Sequence, residues 1–143
     1  MRGFLGTSAN LWSDLSLVFT LALGVVAAYG GIQAHRRRFS RHCPVMATAA
    51  ILNWVPVLIV MIPRWLGVIA TEINVEGLAR YAPIFHGALG GVVQLLMMYT
   101  VTRMYLLEDL PPKDPIWLMR TTIGFWALAL VGGISTYVLF YVR

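Results

Sequence analysis

The chain has 143 residues, of which 59% are hydrophobic and 12% are charged, and its formal net charge is +5. Soluble domains are typically about 45–50% apolar and about 25% charged, so this composition excludes an ordinary soluble core. The positive charge flanks long apolar segments, which favours membrane topology and lipid contact over nucleic-acid binding. A single cysteine, Cys43, excludes an intramolecular disulfide and a multi-cysteine zinc site.

Four segments without Asp, Glu, Lys or Arg have the length of transmembrane helices: residues 15–34, 44–63, 81–102 and 121–142. Each has about the 20 residues that cross a hydrocarbon core of roughly 30 Å as a helix. Strands are disfavoured because an edge exposed to lipid leaves backbone groups unpaired. We therefore predict an all-α integral membrane fold. It is one four-helix bundle domain over residues 1–143, with helices near 11–34, 43–63, 81–103 and 116–142.

The connections between these segments predict the orientation. Short basic loops stay on the cytoplasmic side, so the side with more Lys and Arg is predicted to be cytoplasmic and both termini to lie outside. The arginines of the first connection are also candidates for contact with anionic lipid headgroups. The predicted cytoplasmic side has seven basic residues: Arg36, Arg37, Arg38, Arg41, Arg103, Lys113 and Arg120. The opposite side has four: Arg2, Arg64, Arg80 and Arg143.

Capping residues predict how the helices begin. Ser13 and Asp14 are suitable N-caps for the first helix. Pro44 suits the first turn of the second helix, where its missing N–H has no partner. Asp114 followed by Pro115 predicts an N-cap and first helical residue for the fourth.

Residues 64–80 are expected to connect the second and third helices. Leu66, Ile69 and Ile73 predict a short interfacial helix in this connection, and docking on a partner subunit is the alternative.

Several polar and small residues fall within the apolar segments. Asn53 and Pro56 predict a local kink, and the Asn53 amide is either a functional group or, as we favour, a structural inter-helix hydrogen bond. Small residues four apart predict close helix packing: Gly24 with Ala28, Gly87 with Gly91, and Ala129 with Gly133. One face of the third helix is predicted to point into the bundle: His86, Gly90, Val93, Gln94 and Met97.

His42 and Met46 are spaced four apart on one predicted helical face, where both can reach one iron or copper ion. The alternative is an interfacial histidine in contact with lipid phosphate. Adjacent Cys43 suits copper(I) but points about 100° away around the helix. His35 heads the arginine run and is expected to be a solvated loop residue.

His86 is predicted to lie about a turn below the outer surface. There it is either a cofactor ligand or proton relay, or a neutral histidine bonded to nearby backbone or a partner. His42 and His86 begin at opposite membrane surfaces, roughly 20 Å or more apart, so they are not the two ligands of one haem. An intrachain haem requires His86 with Met61, or His42 with a residue near Met119. The sequence has no Walker, HExxH, CxxC or Ser-His-Asp pattern, so we expect no enzymatic activity.

The order of these motifs resembles the CtaM/YozB-like four-helix membrane family, also called domain of unknown function 420. The resemblance covers nearly the whole chain. It begins with the residues 8–38 that enter the first helix. The individual matches are His42 and Met46 opening the second helix, His86 in the third, and Arg120, Thr122, Trp126, Gly133 and Tyr137 in the fourth.

This resemblance implies a prokaryotic, multi-pass protein of the inner (plasma) membrane, associated with haem–copper cytochrome oxidase assembly. The family also tends to place histidines where this chain has Arg64 and Pro115. By this register Arg64 lies near His86, and Pro115 near His42. If the family pairs these histidines for a metal, both pairs are halved here.

We therefore expect an accessory or assembly subunit of a respiratory membrane complex, which packs on lipid and on other membrane subunits without a small-molecule substrate. One alternative is a membrane protein that binds haem or copper for electron transfer or metallation. Another is a structural subunit of a quinone-linked or photosynthetic complex.

Overall fold

The structure, a computed structural model, describes residues 3–70, 81–105 and 114–142, with the side chains of 68–70 left out. Every regular element in these ranges is helical. The elements are α1 (Leu11–His35), α2 (Phe39–Leu52), α3 (Trp54–Pro56), a π-helical turn (Val57–Met61), α4 (Ile62–Ala70), α5 (Tyr81–Tyr105) and α6 (Pro115–Tyr141).

Four stretches of the structure are long and apolar enough to cross a membrane: Leu11–His35, Phe39–Gly67, Tyr81–Tyr105 and Pro115–Tyr141. This confirms the predicted number and type of elements. The second stretch is the composite rod α2–α4. The four are packed as a ring, in which α1 contacts α2 and α6, and α5 contacts α6, α2 and α4.

The core of the ring lies where α1, α5 and α6 meet. Only a narrow stripe of each helix is buried, as is typical of helices that face lipid, and small residues allow the helices to approach closely. Val93 of α5 is the most buried hydrophobic residue of this core, at 2% exposure. It packs with Leu23, Ala27, Trp126 and Ala129.

The predicted N-caps of the first helix are wrong. The N-cap is Asn10, whose side chain accepts a hydrogen bond from the Ser13 N–H at 2.9 Å. Ser13 and Asp14 instead lie inside α1 and are buried. The predicted cap of the fourth helix is confirmed, since Asp114 accepts from the Trp117 N–H at 2.9 Å and Pro115 is the first helical residue.

The predicted boundaries of the second helix are also wrong at both ends. α2 begins at Phe39, so Pro44 lies inside the helix rather than in its first turn. At the other end the chain stays helical through Pro63 to Ala70. Residues 64–70 therefore extend the membrane-length rod, and the remainder of the predicted interfacial segment lies outside the described residues.

The second rod is irregular near Asn53 and Pro56, where the sequence predicts a local kink. α2 ends at Leu52, and a π-helical turn over Val57–Met61 follows the single turn of α3. In this turn the Ile62 N–H donates to the Val57 carbonyl, five residues back. Pro56 has no N–H for the carbonyl four residues before it, which interrupts the α-helical hydrogen-bond ladder.

A tight arginine turn joins α1 to α2. The Arg38 N–H donates to the Gln33 carbonyl and the Arg37 N–H to the Ala34 carbonyl, both at 2.9 Å. This is a Schellman ending, which requires a left-handed residue, and Arg37 supplies it with φ of 56°. Glycine is the usual residue at this position, so the backbone of Arg37 is strained.

We call the end of the bundle that holds this turn the arginine end. The opposite end holds residues 3–10, Tyr137 and Tyr141, and we call it the tyrosine end.

Candidate functional site

A cavity of about 740 Å³ opens at the arginine end of the bundle. All four membrane-length stretches contribute to its wall, which is almost entirely apolar. The residues that line it include His35, Phe39, His42, Cys43, Met46, Met97, Met104, Tyr105, Pro115, Met119, Arg120 and Trp126.

The cavity reaches from the helix ends to the core. Its lining runs along α6 from Pro115 to Trp126, 11 residues or about 16 Å. Along α1 it runs from His35 to Ala27, eight residues or about 12 Å. The length of its lining along α6 is therefore about half the thickness of a hydrocarbon core, which is roughly 30 Å.

Small side chains leave this space open. α1 presents Gly31, where an added methyl group would meet nothing within 4 Å. The facing surface of α2 includes three alanines. Because alanine, glycine and flexible methionine contribute much of the wall, it can accept a bulky apolar molecule of varied shape. Its remaining small residues are Ala27, Ala34, Ala47, Ala49 and Ala50.

His42 is held in one orientation at this cavity. Its Nδ1 lies 2.8 Å from the Gly30 carbonyl oxygen of α1. A carbonyl oxygen only accepts, so Nδ1 carries the proton and donates it, and Nε2 of the neutral ring keeps a free lone pair. A backbone carbonyl that fixes one imidazole nitrogen is the common second partner of metal-binding histidines.

Met46 shares the face of His42 and contacts the same residue of α1. Its sulfur packs so closely over Gly30 that an added Cβ there would overlap it. Both predicted ligands therefore lie at the α1–α2 contact and both line the cavity. Cys43 lines it too, although its position around the helix predicts that it points away from them.

The fourth helix faces this pair across the cavity. Pro115, where the family resemblance leads us to expect a histidine, lines the same cavity as His42. Met119, one turn further along α6, also lines it. The cavity thus has two histidines, one thiol and several thioethers as potential ligands, and of the two histidines only His42 is shown with a hydrogen bond to backbone.

Arg120 places a positive charge on this apolar wall. It makes no hydrogen bond or ion pair with any residue in the described part of the chain. The two carboxylates of the described ranges are occupied elsewhere: Asp14 is buried at the tyrosine end, and Asp114 caps α6.

His86 lies in the other half of the bundle. Its imidazole packs on the backbone of α6, with Cε1 3.0 Å from a Cβ built at Gly133. One ring nitrogen approaches the backbone of Ala129. Nδ1 is buried without a hydrogen-bond partner among the described residues. This geometry packs His86 into a helix interface rather than into the cavity.

The four arginines of the first connection are exposed: Arg36, Arg37, Arg38 and Arg41. The small-residue pairs divide between packed and open positions. Gly24 contacts Leu130 and Trp126, Gly87 contacts Trp65, and Ala129 is in the core. Of the second members, Ala28 and Gly91 are exposed, whereas Gly133 packs against His86.

No group of three or more His, Cys, Asp or Glu side chains is arranged for a metal ion within residues 3–70, 81–105 and 114–142. A metal at the cavity would therefore depend on thioether ligands or on ligands that it brings with it.

Sequence reasoning missed the cavity and the part of Arg120 in it. The available signal was the set of small residues on facing stretches of α1 and α2, a pattern that equally predicts close helix packing. Sequence reasoning also missed Asp14, whose carboxylate accepts hydrogen bonds from the Tyr137 hydroxyl and from the Leu5 N–H. An acid at the start of an apolar helix was the available signal.

No protein-family model, curated protein or solved structure matches this chain.

Proposed function

We propose that this chain is a multi-pass membrane protein that holds a haem-type cofactor in the cavity at its arginine end. In this proposal it serves as an accessory or assembly subunit of an oxidase-related respiratory complex in a prokaryotic plasma membrane. It acts by binding and positioning, without catalysis. The arginine end faces the cytoplasm and both termini face outward, as the excess of basic residues favours.

The observation that carries the proposal is the His42–Gly30 hydrogen bond at the wall of the cavity. A histidine whose Nδ1 is committed to a backbone carbonyl is ready to bind a metal through Nε2. The bond also limits rotation of the ring, which lowers the entropic cost of binding.

The size and lining of the cavity suit a porphyrin. Its volume of about 740 Å³ lies within the roughly 300–1,000 Å³ of typical ligand pockets. The apolar wall would cover the ring, His42 would hold the iron, and Met46 or Met119 would offer a thioether. When bound, such a group supplies one-electron transfer, and its potential depends on these ligands and on exclusion of water.

The role in a respiratory complex rests on the resemblance of the motifs from His42 to Tyr137. The halved histidine pair suits a chain that holds its ligand less firmly than a bis-histidine site does, as a carrier or assembly factor requires. Partner subunits would cover exposed small residues such as Ala28 and Gly91.

Titration of the purified chain with iron protoporphyrin tests the cofactor role. We expect one porphyrin per chain, with a shifted Soret band in the wild type and a loss of at least tenfold in affinity in His42→Ala. His35→Ala is the matched control, because His35 also lines the cavity but lacks the backbone hydrogen bond. Equal binding by wild type and His42→Ala would contradict the proposal.

Native separation after gentle extraction tests the complex. We expect the chain to migrate with larger respiratory subunits, and migration only as a free monomer would contradict an accessory role.

A copper(I) site is the second candidate, because His42, Cys43 and Met46 line one cavity and sulfur ligands suit copper(I). Metal analysis separates the two. Stoichiometric copper that is lost in Cys43→Ser would favour copper, whereas iron retained in that variant would favour haem.

A further inference from the structure

We propose that Arg120 binds an acidic group of the molecule in the cavity, so that the cavity selects apolar ligands that carry a carboxylate at their arginine-end terminus. The inference rests on the proposed function only in taking the cavity to be a ligand site. It adds the chemical class that the site recognises.

The first argument is the position of Arg120. It is the sixth residue of α6, about 8 Å along the helix from Pro115, and it lines the cavity about halfway along the α6 wall. Deeper in the cavity, the same helix presents Ile123 and Trp126. A ligand that lies between Arg120 and Trp126 therefore meets a cation at its arginine-end terminus and an apolar wall beyond it.

The second argument is the lack of a counter-charge on Arg120 among the described residues. Arg120 has no ion pair with them, Asp14 is buried at the tyrosine end, and Asp114 caps α6. The guanidinium group offers two parallel N–H donors that match a carboxylate, and such bidentate pairs are strong and directional.

The third argument is the local field. Arg36, Arg37, Arg38 and Arg41 are exposed at the same end of the bundle. Their combined charge raises the concentration of anionic ligands at this end. Arg120 is exposed as they are, but it alone of the five lines the cavity.

Two ligand sources share this chemistry: the propionates of a porphyrin and the carboxylate of a fatty acid. A dibrominated stearate and its methyl ester form a matched pair of probes, since bromine quenches tryptophan fluorescence at contact and Trp126 lines the cavity. Iron protoporphyrin and its dimethyl ester form the second pair.

The experiment titrates each pair into the purified full chain in neutral detergent, for wild type, Arg120→Gln and Arg41→Gln. Arg41→Gln is the matched control, because it removes the same charge from the same end outside the cavity. We expect the free acid to bind at least tenfold more tightly than its ester in wild type. Arg120→Gln should abolish that difference, and Arg41→Gln should change it less than twofold.

Three results would overturn the inference: equal binding of acid and ester by wild type, equal effects of the two substitutions, or equal weakening of acid and ester in Arg120→Gln. The two probe pairs also separate the claims. If porphyrins fail to bind but the stearate pair behaves as expected, the haem proposal fails and the inference stands. If the porphyrin binds through His42 regardless of its ester groups, the inference fails alone.

Discussion

The two ends of the bundle differ in how their helices are packed. At the tyrosine end, residues 3–10 fold over α1 and α6 and their polar groups pair with them. Thr7 and Tyr137 share a hydrogen bond of 2.8 Å, and the Ser8 N–H donates to the Tyr141 carbonyl at 3.1 Å. At the arginine end, small side chains leave a cavity of about 740 Å³.

We expect the tyrosine end to contribute stability and the arginine end to provide the binding site. Asp14 of α1, with 0% exposure, accepts hydrogen bonds from the Leu5 N–H of the N-terminal segment and from the Tyr137 hydroxyl of α6. We call this buried hydrogen-bonded cluster the polar lock. Such a lock tolerates little change, because each buried polar group depends on the others. At the arginine end, the cavity reduces the packing contacts between the helices, and such a cavity is typical of a binding site.

The largest expected effect comes from opening the polar lock. Asp14→Ala leaves the Tyr137 hydroxyl without its carboxylate and the Leu5 N–H without an acceptor. We expect a loss of about 2–3 kcal/mol in the free energy of unfolding, measured by denaturation in detergent. Asp114→Ala, which removes an exposed N-cap, should cost only about 1 kcal/mol. Equal losses in the two variants would show that the tyrosine end is no lock.

An added methyl group should destabilise the protein outside the cavity, at Gly87, and should be tolerated in the cavity wall, at Gly31. A Cβ at Gly87 would overlap the Trp65 indole, so Gly87→Ala should destabilise by about 1–3 kcal/mol. Gly31→Ala adds the same methyl to the cavity wall, where nothing lies within 4 Å, and should be neutral or slightly stabilising. Melting temperatures of the two variants check this. The reverse order would contradict the contrast in packing.

A hydrogen bond between Asn53 and Gln94 is expected to stabilise the packing of the second rod on α5. The Asn53 side-chain N–H donates to the Gln94 side-chain oxygen at 2.8 Å, which joins the break after α2 to α5, and Gln94 is 3% exposed. A double-mutant cycle with Asn53→Leu and Gln94→Leu should give a coupling of roughly 0.6–1.7 kcal/mol, the range for hydrogen bonds between membrane helices. Additive effects would show that the link contributes no stability.

The smallest effect should be a gain at the arginine turn. Arg37 adopts φ of 56°, so Arg37→Gly should raise the free energy of unfolding by about 1 kcal/mol. Arg36→Gly, at φ of −79°, provides the control and should bring no gain. If both variants lose stability alike, the charge of the turn matters more than its backbone strain.

The sequence predicted the four apolar helices well, because a charge-free run of about 20 residues is a strong signal. It predicted helix starts less well. Asn10 lies outside the apolar run and caps α1 through a local hydrogen bond, whereas Ser13 and Asp14 lie at the edge of the hydrophobic pattern and so resemble caps. Pro63 did not end the second rod, since neighbouring helices can support a proline in a membrane-length helix.

Pairings within the site depend on how helices face each other, which periodicity alone does not give. The spacing of His42 and Met46 placed them on one face, and the structure brings both to Gly30. That Pro115, Met119 and Arg120 share their cavity follows from the contacts among α1, α2, α5 and α6. The link between Asn53 and Gln94 could be anticipated as an inter-helix bond, but its partner could not.

The most direct test compares the histidines of the two halves in chain purified gently from its own membranes. The reduced-minus-oxidised absorption spectrum is measured for wild type, His42→Ala and His86→Ala, with haem quantified per chain. The proposal expects a haem signal in wild type that is lost in His42→Ala and retained in His86→Ala. No haem in wild type, or loss in His86→Ala with retention in His42→Ala, would contradict a cofactor site at the arginine end.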